Sequence, residues 1–179
     1  NKELGGGAIL DLGCYPVSFS ILIASIISKI DYDKFKIIEK MRDNGSLDVD
    51  INSNLNLEFE NGFISEVNAS FSKNLGTETV IKGSTGVMRI LNPWQADPPT
   101  IILEGSINKE INLKYNNDIY SYEISAISKN ILEGKSNPDF PGISIHETIG
   151  ITKILDRWLN WDEKQDLWLC NFFQWKFTS

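Results

Sequence analysis

The sequence predicts an α+β fold: an open, mostly antiparallel mixed sheet with helices on one face. Three observations carry this expectation. A glycine-led apolar segment opens the chain, and a run of alternation broken only at Ser53 follows at residues 47–59. Helical spacing returns only after residue 119. Strands gathered between helices, rather than alternating with them, point to antiparallel pairing.

The first element is expected to be a helix from Gly7 to Ser28. Pro16 falls inside it and is expected to bend it, because proline removes a backbone donor. Residues 34–41 read as a strand. In the next run, Leu47, Val49, Ile51, Leu55, Leu57 and Phe59 point one way, broken only by Ser53. Asp48, Asp50, Asn52, Asn54, Asn56 and Glu58 point the other way, so one face is expected to be buried and one wet. Asn61-Gly62 is a type I′ hairpin signal, and the return strand spans residues 63–71. Residues 79–82 and 87–91 read as a second hairpin turning at Gly83 to Gly86. Asn92 to Thr100 is a proline-rich loop carrying Trp94. Short strands are expected at 101–103 and 110–115. Ile119, Ala126, Ile127 and Ile131 then mark a helix, with Gly134 as its C-cap. Ile151, Ile154, Leu155 and Trp158 form the stripe of the last helix. Residues 1–159 therefore read as one domain. Residues 160–179, with Trp161, Trp168, Phe172, Phe173, Trp175 and Phe177, read as an atypical aromatic tail.

The composition narrows the function. The chain has 179 residues, 41% hydrophobic and 23% charged, as in a globular protein. Its net charge of −7 repels phosphate backbones, which argues against a nucleic-acid partner. The stretch Leu10–Ile30 comes closest to a membrane span, but Asp11, Gly13, Pro16 and four serines interrupt it. No charged leader is apparent. Cys14 and Cys170 form neither a disulfide framework nor a metal spacing, which fits a reduced, cytoplasmic setting. His146 is the single histidine, so no multi-histidine metal site is expected. It sits in Ser144-Ile145-His146-Glu147, a capping-box pattern, and reads as an exposed first-turn residue. Neither GxGxxG nor a P-loop occurs.

The chemistry-bearing candidates lie at the start. In Gly5-Gly6-Gly7-Ala8-Ile9-Leu10-Asp11-Leu12-Gly13-Cys14-Tyr15, glycines let the backbone turn and approach another group closely. Asp11 and Tyr15 are four apart and would share a face of one helix. A carboxylate and a phenol converging there suit proton transfer. A glycine-led helix start with Asp11 as cap or salt-bridge partner explains the same residues. The glycine turn itself is expected to hold a stray anion weakly at most.

The stretch from Gly5 to Val17 resembles the signature of the glucose–fructose oxidoreductase/inositol dehydrogenase (Gfo/Idh/MocA) family, where it opens the long helix of the C-terminal domain. Lys82-Gly83-Ser84-Thr85-Gly86, Asn92-Pro93-Trp94, Tyr122-Glu123-Ile124, Ile131 to Lys135 and Ile154 to Trp158 resemble later blocks in the same order. The resemblance implies a C-terminal, substrate-side and oligomerisation domain whose Rossmann domain is absent here. It implies an oxidoreductase moving a hydride between NAD or NADP and a sugar, cyclitol or related alcohol or carbonyl. It also implies the tyrosine variant seen in dihydrodiol and pentose dehydrogenases, with Tyr15 exchanging the proton at the substrate oxygen and Asp11 as its partner. Tyr115 and Tyr120 fall near the family's pocket and are substrate-binding candidates. Their plain reading is strand-end and helix-start packing. The implied partners are the small-molecule substrate, the missing Rossmann domain, which would hold the dinucleotide, and a second copy on the open sheet face. No cofactor or metal is expected on this chain alone, which should be inactive by itself. A stand-alone oligomerisation or small-ligand-binding module is the competing reading.

Overall fold

The computed structural model describes residues 2–94, 98–114 and 118–160. The fold is α+β, and its strands pair antiparallel. The strands make two sheets rather than one mixed sheet. β1 (Phe35–Asn44), β2 (Asp50–Phe59) and β3 (Ile64–Ser70) form the first, in that order. β4 (Thr79–Gly83), β5 (Gly86–Leu91), β6 (Thr100–Gly105) and β7 (Lys109–Asn112) form the second, also in sequence order. The described residues of Asn1–Ser72 and His146–Ser179 make one compact unit, and those of Lys73–Ile145 make another. The expected tail lies outside the described residues from Trp161 onward.

In the first unit, the helix expected over residues 7–28 is two helices, α1 (Ala8–Asp11) and α2 (Cys14–Ile27). The break falls at Leu12–Gly13, not at Pro16. Pro16 is the third residue of α2, where a missing N–H removes no intrahelical bond. The N–H groups of Leu12 and Gly13 both donate to Ala8 O, at 2.9 and 3.0 Å, and close α1 after one turn. A β-carbon on Gly13 would lie 2.5 Å from Ile9 O and 2.7 Å from Cζ3 of Trp158. Only glycine lets the corner close against that ring. Trp158 belongs to the last helix, here α4 (Ile145–Leu159), although the numbering passes first through α3 (Ile119–Leu132) of the second unit.

The core of this unit follows from the alternation in β2. Leu55, Leu57 and Phe59 are buried with Val67 and Ala69 of β3. They pack with Ile9 of α1, Val17 and Ile21 of α2, and Ile154 and Trp158 of α4. Each valine, leucine, isoleucine or phenylalanine among them contributes about 1.5–3 kcal/mol by leaving water. The predicted wet face needs correction at two positions, because Asp50 and Asn52 are 2% and 6% exposed. Asn52 is roofed by hydrogen bonds. Its Oδ1 accepts from the hydroxyls of Ser70 and Ser72, and its Nδ2 donates to Asp43. Period-2 reading sees only the strand and not the segment after β3 that folds over it. Asn54 and Asn56 do sit on the more open face, bonded to Asn68 and Glu39.

The turn at Asn61-Gly62 is present, but it is not type I′. Only Gly62 has positive φ, 81°, and Phe59 N–H donates to Phe63 O across a three-residue loop. Asn61 is used otherwise: its Nδ2 donates to Ala24 O near the end of α2.

β1 carries a bulge between Ile37 and Glu39. One extra residue flips the side-chain phase. Phe35 and Ile37 pack on the core before the bulge. After it, Lys40 and Arg42 sit opposite Leu55 and Ser53. Lys40 Nζ donates to Arg157 O and Asn160 O, and Arg42 donates to Leu159 O. Two cations thus meet the unpaired carbonyls at the end of α4, a placement typically worth about 0.3–1 kcal/mol per cation.

In the second unit, pairing puts Ile81, Met88, Ile90, Ile101, Leu103 and Ile111 on one sheet face. On the other, Arg89 pairs with Glu78 and Glu104 at 2.8 and 3.1 Å. The hairpin at Gly83 to Gly86 forms as the sequence predicts. α3 is capped by Asp118, whose carboxyl accepts from Tyr120 N–H. It ends in a Schellman motif. Gly134, at φ 68°, donates to Ile131 O, and Lys135 N–H donates to Asn130 O.

Removing the centre of the first core should be costly. Leu57→Ala, at a fully buried site, is expected to lower unfolding stability by about 2–5 kcal/mol in urea titrations. Ile64→Ala, at a position 62% exposed, should stay within about 0.5 kcal/mol.

Candidate functional site

The glycine turn at the start of the chain has an internal partner. Gly5 and Gly7 both hold positive φ, 68° and 138°. Gly7 is the N-cap of α1 and has no side chain with which to cap it. Asp50, 43 positions further on and at the first place of β2, does that work instead. Its Oδ2 accepts the N–H of Ile9 at 2.6 Å. Ile9 is the second residue of the helix, the position that an N-cap side chain ordinarily serves. The other oxygen, Oδ1, is buried without a hydrogen-bond partner. It faces Gly7, where a β-carbon would come within 2.2 Å of it. The glycines therefore bring the backbone onto an acid of the same chain. A stray anion at this turn would meet the Asp50 carboxyl, so the turn does not fit the pyrophosphate of a dinucleotide.

Asp11 and Tyr15 do not share one continuous helix. Asp11 ends α1, and Tyr15 is the second residue of α2. Both are exposed, Tyr15 by 58%. Tyr15 N–H donates to Leu12 O at 3.3 Å, and Val17 N–H to Gly13 O at 3.2 Å, so α2 begins directly from the corner. Between the two residues lies Cys14, whose thiol donates to Asp11 O at 3.6 Å. Burial pushes its pKa up, with a smaller push from the charge of Asp11.

The other candidates scatter. Tyr120 stands in the first turn of α3, in the second unit, 63% exposed. Tyr115 lies outside the described residues. His146 is the second residue of α4 and is exposed, as expected. Among the described residues no cluster of acidic, histidine or cysteine side chains could hold a metal. No helix among them is long and apolar enough to cross a membrane.

Sequence reading missed Asp50 and Arg42. Both line a cleft of about 360 Å³ in the first unit, together with Gly5, Gly6, Leu10 and Asp48. Neither Asp11 nor Tyr15 lines it. In the alternating run, Asp50 looks like Asp48 or Asn54. The one available signal was the glycine triplet, which implied some group to approach.

Comparison with known proteins identifies this architecture. Residues 1–89 match the family described as GFO/IDH/MocA C-terminal domain. Among solved structures, KijD10, a 3-ketoreductase from Actinomadura kijaniata in complex with TDP-benzene and NADP, is similar with a TM-score of 0.65 at 19% identity. The match covers 84% of this chain and 46% of that one. An aldose-aldose oxidoreductase from Caulobacter crescentus, complexed with glycerol, matches with a TM-score of 0.62 at 16% identity, over 87% and 46% of the two chains. An NAD-binding protein from Listeria innocua matches at 0.53 and 18%, over 87% and 45%. This chain thus spans less than half the length of these structures. No curated protein matches it.

The two glycine positions make a direct comparison. Gly5→Ala meets nothing within 4 Å and should cost only the left-handed backbone penalty, about 1–2 kcal/mol. Gly7→Ala adds a collision with Asp50 and should lower the urea midpoint further. Equal midpoints for the two variants would contradict the close approach.

Proposed function

Because residues 1–89 carry the GFO/IDH/MocA C-terminal domain, we propose that this chain is the substrate-side and oligomerisation part of an NAD(P)-dependent oxidoreductase acting on a sugar, cyclitol or related alcohol or carbonyl. One observation carries the site: Asp11 and Tyr15, the acid and phenol of the matched segment, are both exposed at the α1–α2 corner. The dinucleotide belongs to a nucleotide-binding domain outside these residues, since the glycine turn is already filled by Asp50. The cytoplasm is the setting we assign, and the isolated chain should turn over nothing.

Tyr15 exchanges the proton at the substrate oxygen in this reading. A cation supplied by the partner domain is expected to face its hydroxyl. Exposure leaves the hydroxyl free to meet both. Asp11, at the other end of the two-residue break, orients substrate or phenol. Tyr120 and Tyr115 are the further substrate contacts in this proposal.

In the complete enzyme, Tyr15→Phe should lower kcat by about 10²–10⁴-fold, the usual contribution of general acid–base catalysis. Asp11→Asn should cost less. Wild-type turnover by Tyr15→Phe at saturating substrate would remove the assignment.

Oligomerisation is assigned to the second sheet. Its face of Ile81, Met88, Ile90, Ile101, Leu103 and Ile111 is apolar and half-buried. The outer face of the first sheet bonds its own asparagines, Asn52, Asn54 and Asn56. Light scattering of the chain at micromolar concentration should give at least a dimer, and Met88→Lys should return it to a monomer.

A further inference from the structure

We infer that Asp50 is a positioning residue for the Asp11–Tyr15 corner, a role that rests on the reading of those two residues above. The argument begins with what holds α1. One turn of helix has no stability of its own, because nucleation outweighs a single hydrogen bond. Its N-cap is a glycine that offers no side-chain acceptor. What fixes its start is the Asp50 carboxyl. Oδ2 accepts the Ile9 N–H, while Oδ1 is pressed against Gly7. Asp50 is 2% exposed and is the first residue of β2, the central strand of its sheet.

The other end of α1 is fixed by packing. Gly13 admits the Trp158 ring at a distance no side chain would allow. Between these two points the backbone has no freedom to slide. Asp11 is the last residue of the clamped turn. Tyr15 begins α2 through bonds to Leu12 O and, one turn on, from Val17 to Gly13. Both side chains are exposed, so packing of the side chains themselves does not aim them. Their direction comes from the backbone under them, and that backbone is referred to the sheet through Asp50.

Asp50 does not touch substrate in this arrangement. Its carboxyl is walled off by Gly7 and Ile9. It acts by geometry, and misplacement of about 1 Å at a reacting group is enough to cost on the order of 10²-fold in rate. An asparagine keeps an acceptor oxygen for Ile9 and should preserve the geometry. An alanine leaves Ile9 N–H unserved.

Two measurements test this. In the 179-residue chain, amide exchange followed by NMR should show the Ile9, Asp11 and Leu12 amides protected. Asp50→Ala should remove that protection while Leu57 and Val67 keep theirs, and Asp50→Asn should retain it. Unchanged protection of α1 in Asp50→Ala would overturn the anchor. In the complete enzyme, Asp50→Ala should lower kcat by about 10–100-fold with the KM for dinucleotide unchanged, and Asp50→Asn should recover most of it. The same substitution in a Tyr15→Phe background should cost at most about twofold, because the group it positions is already gone. A general loss of folded protein would cut both backgrounds equally, and that additive result would overturn the positioning role. Wild-type turnover by Tyr15→Phe alone would instead overturn the reading of Tyr15, and the role of Asp50 in catalysis would fall with it, whatever the exchange data show. If Asp50→Ala does not fold, Asp50→Ser, too short to reach Ile9, takes its place in both measurements with the same criteria.

Discussion

The first unit depends on a single buried acid. Asp50 begins the central strand of its sheet and ends the search of α1 for an N-cap. A carboxyl out of water must be hydrogen-bonded or it destabilises the fold. Only one of its oxygens is bonded here, and an unserved buried acceptor costs about 1–3 kcal/mol. The surroundings limit that cost by excluding any side chain at Gly7, so that a Cα–H bond points at the free oxygen. Charge, backbone conformation and packing are therefore solved together at one place. Altering any one of Gly7, Ile9 or Asp50 disturbs the other two.

A second constraint works at the far end of the same unit. α4 supplies Trp158 to the corner at Gly13, so its position matters to α1 and α2. Its own C-terminus is held by Lys40 and Arg42, which point inward only because of the bulge in β1. Arg157 also lies over the Phe35 ring, 4.7 Å from its centroid. One extra residue in an edge strand thus brings Lys40 and Arg42, rather than Glu39 and Met41, to the helix carbonyls. The exposed end of β1 and the buried corner of α1 are parts of one packing solution.

Much of the fold was legible because alternation and turn chemistry are local. Leu55, Leu57 and Phe59 could be assigned to the core from period alone, and Gly134 could be assigned to a helix end. One failure was local: Leu47, read as part of the buried strand face, is 68% exposed in the turn before β2. The others were nonlocal. Asp50 and Asn52 look wet in the strand, and the groups that bury them arrive from residues 7–9 and 70–72. The break at Leu12–Gly13 was hidden because Pro16 is the stronger helix breaker in sequence terms. It is harmless at the position it occupies, and the glycine before it yields to a ring from residue 158. The division into two sheets was likewise invisible, since each hairpin reads the same whichever sheet it joins. At the candidate site, the motif named Asp11 and Tyr15, but nothing in it disclosed what holds them.

The glycine triplet shows why a motif must be read through its partner. A glycine turn leading into a helix is the usual cradle for a phosphate, since several N–H groups converge there and the helix end favours negative charge. Here the same geometry is satisfied from within by a carboxyl of the same chain. The N–H that would greet an external anion donates to Asp50, and the space it would occupy is closed by that oxygen. The chemistry that makes such a turn attractive to a cofactor has been turned inward, to lock one short helix to a sheet. A chain built this way presents an acid and a phenol at an exposed corner, next to a turn closed by its own carboxyl.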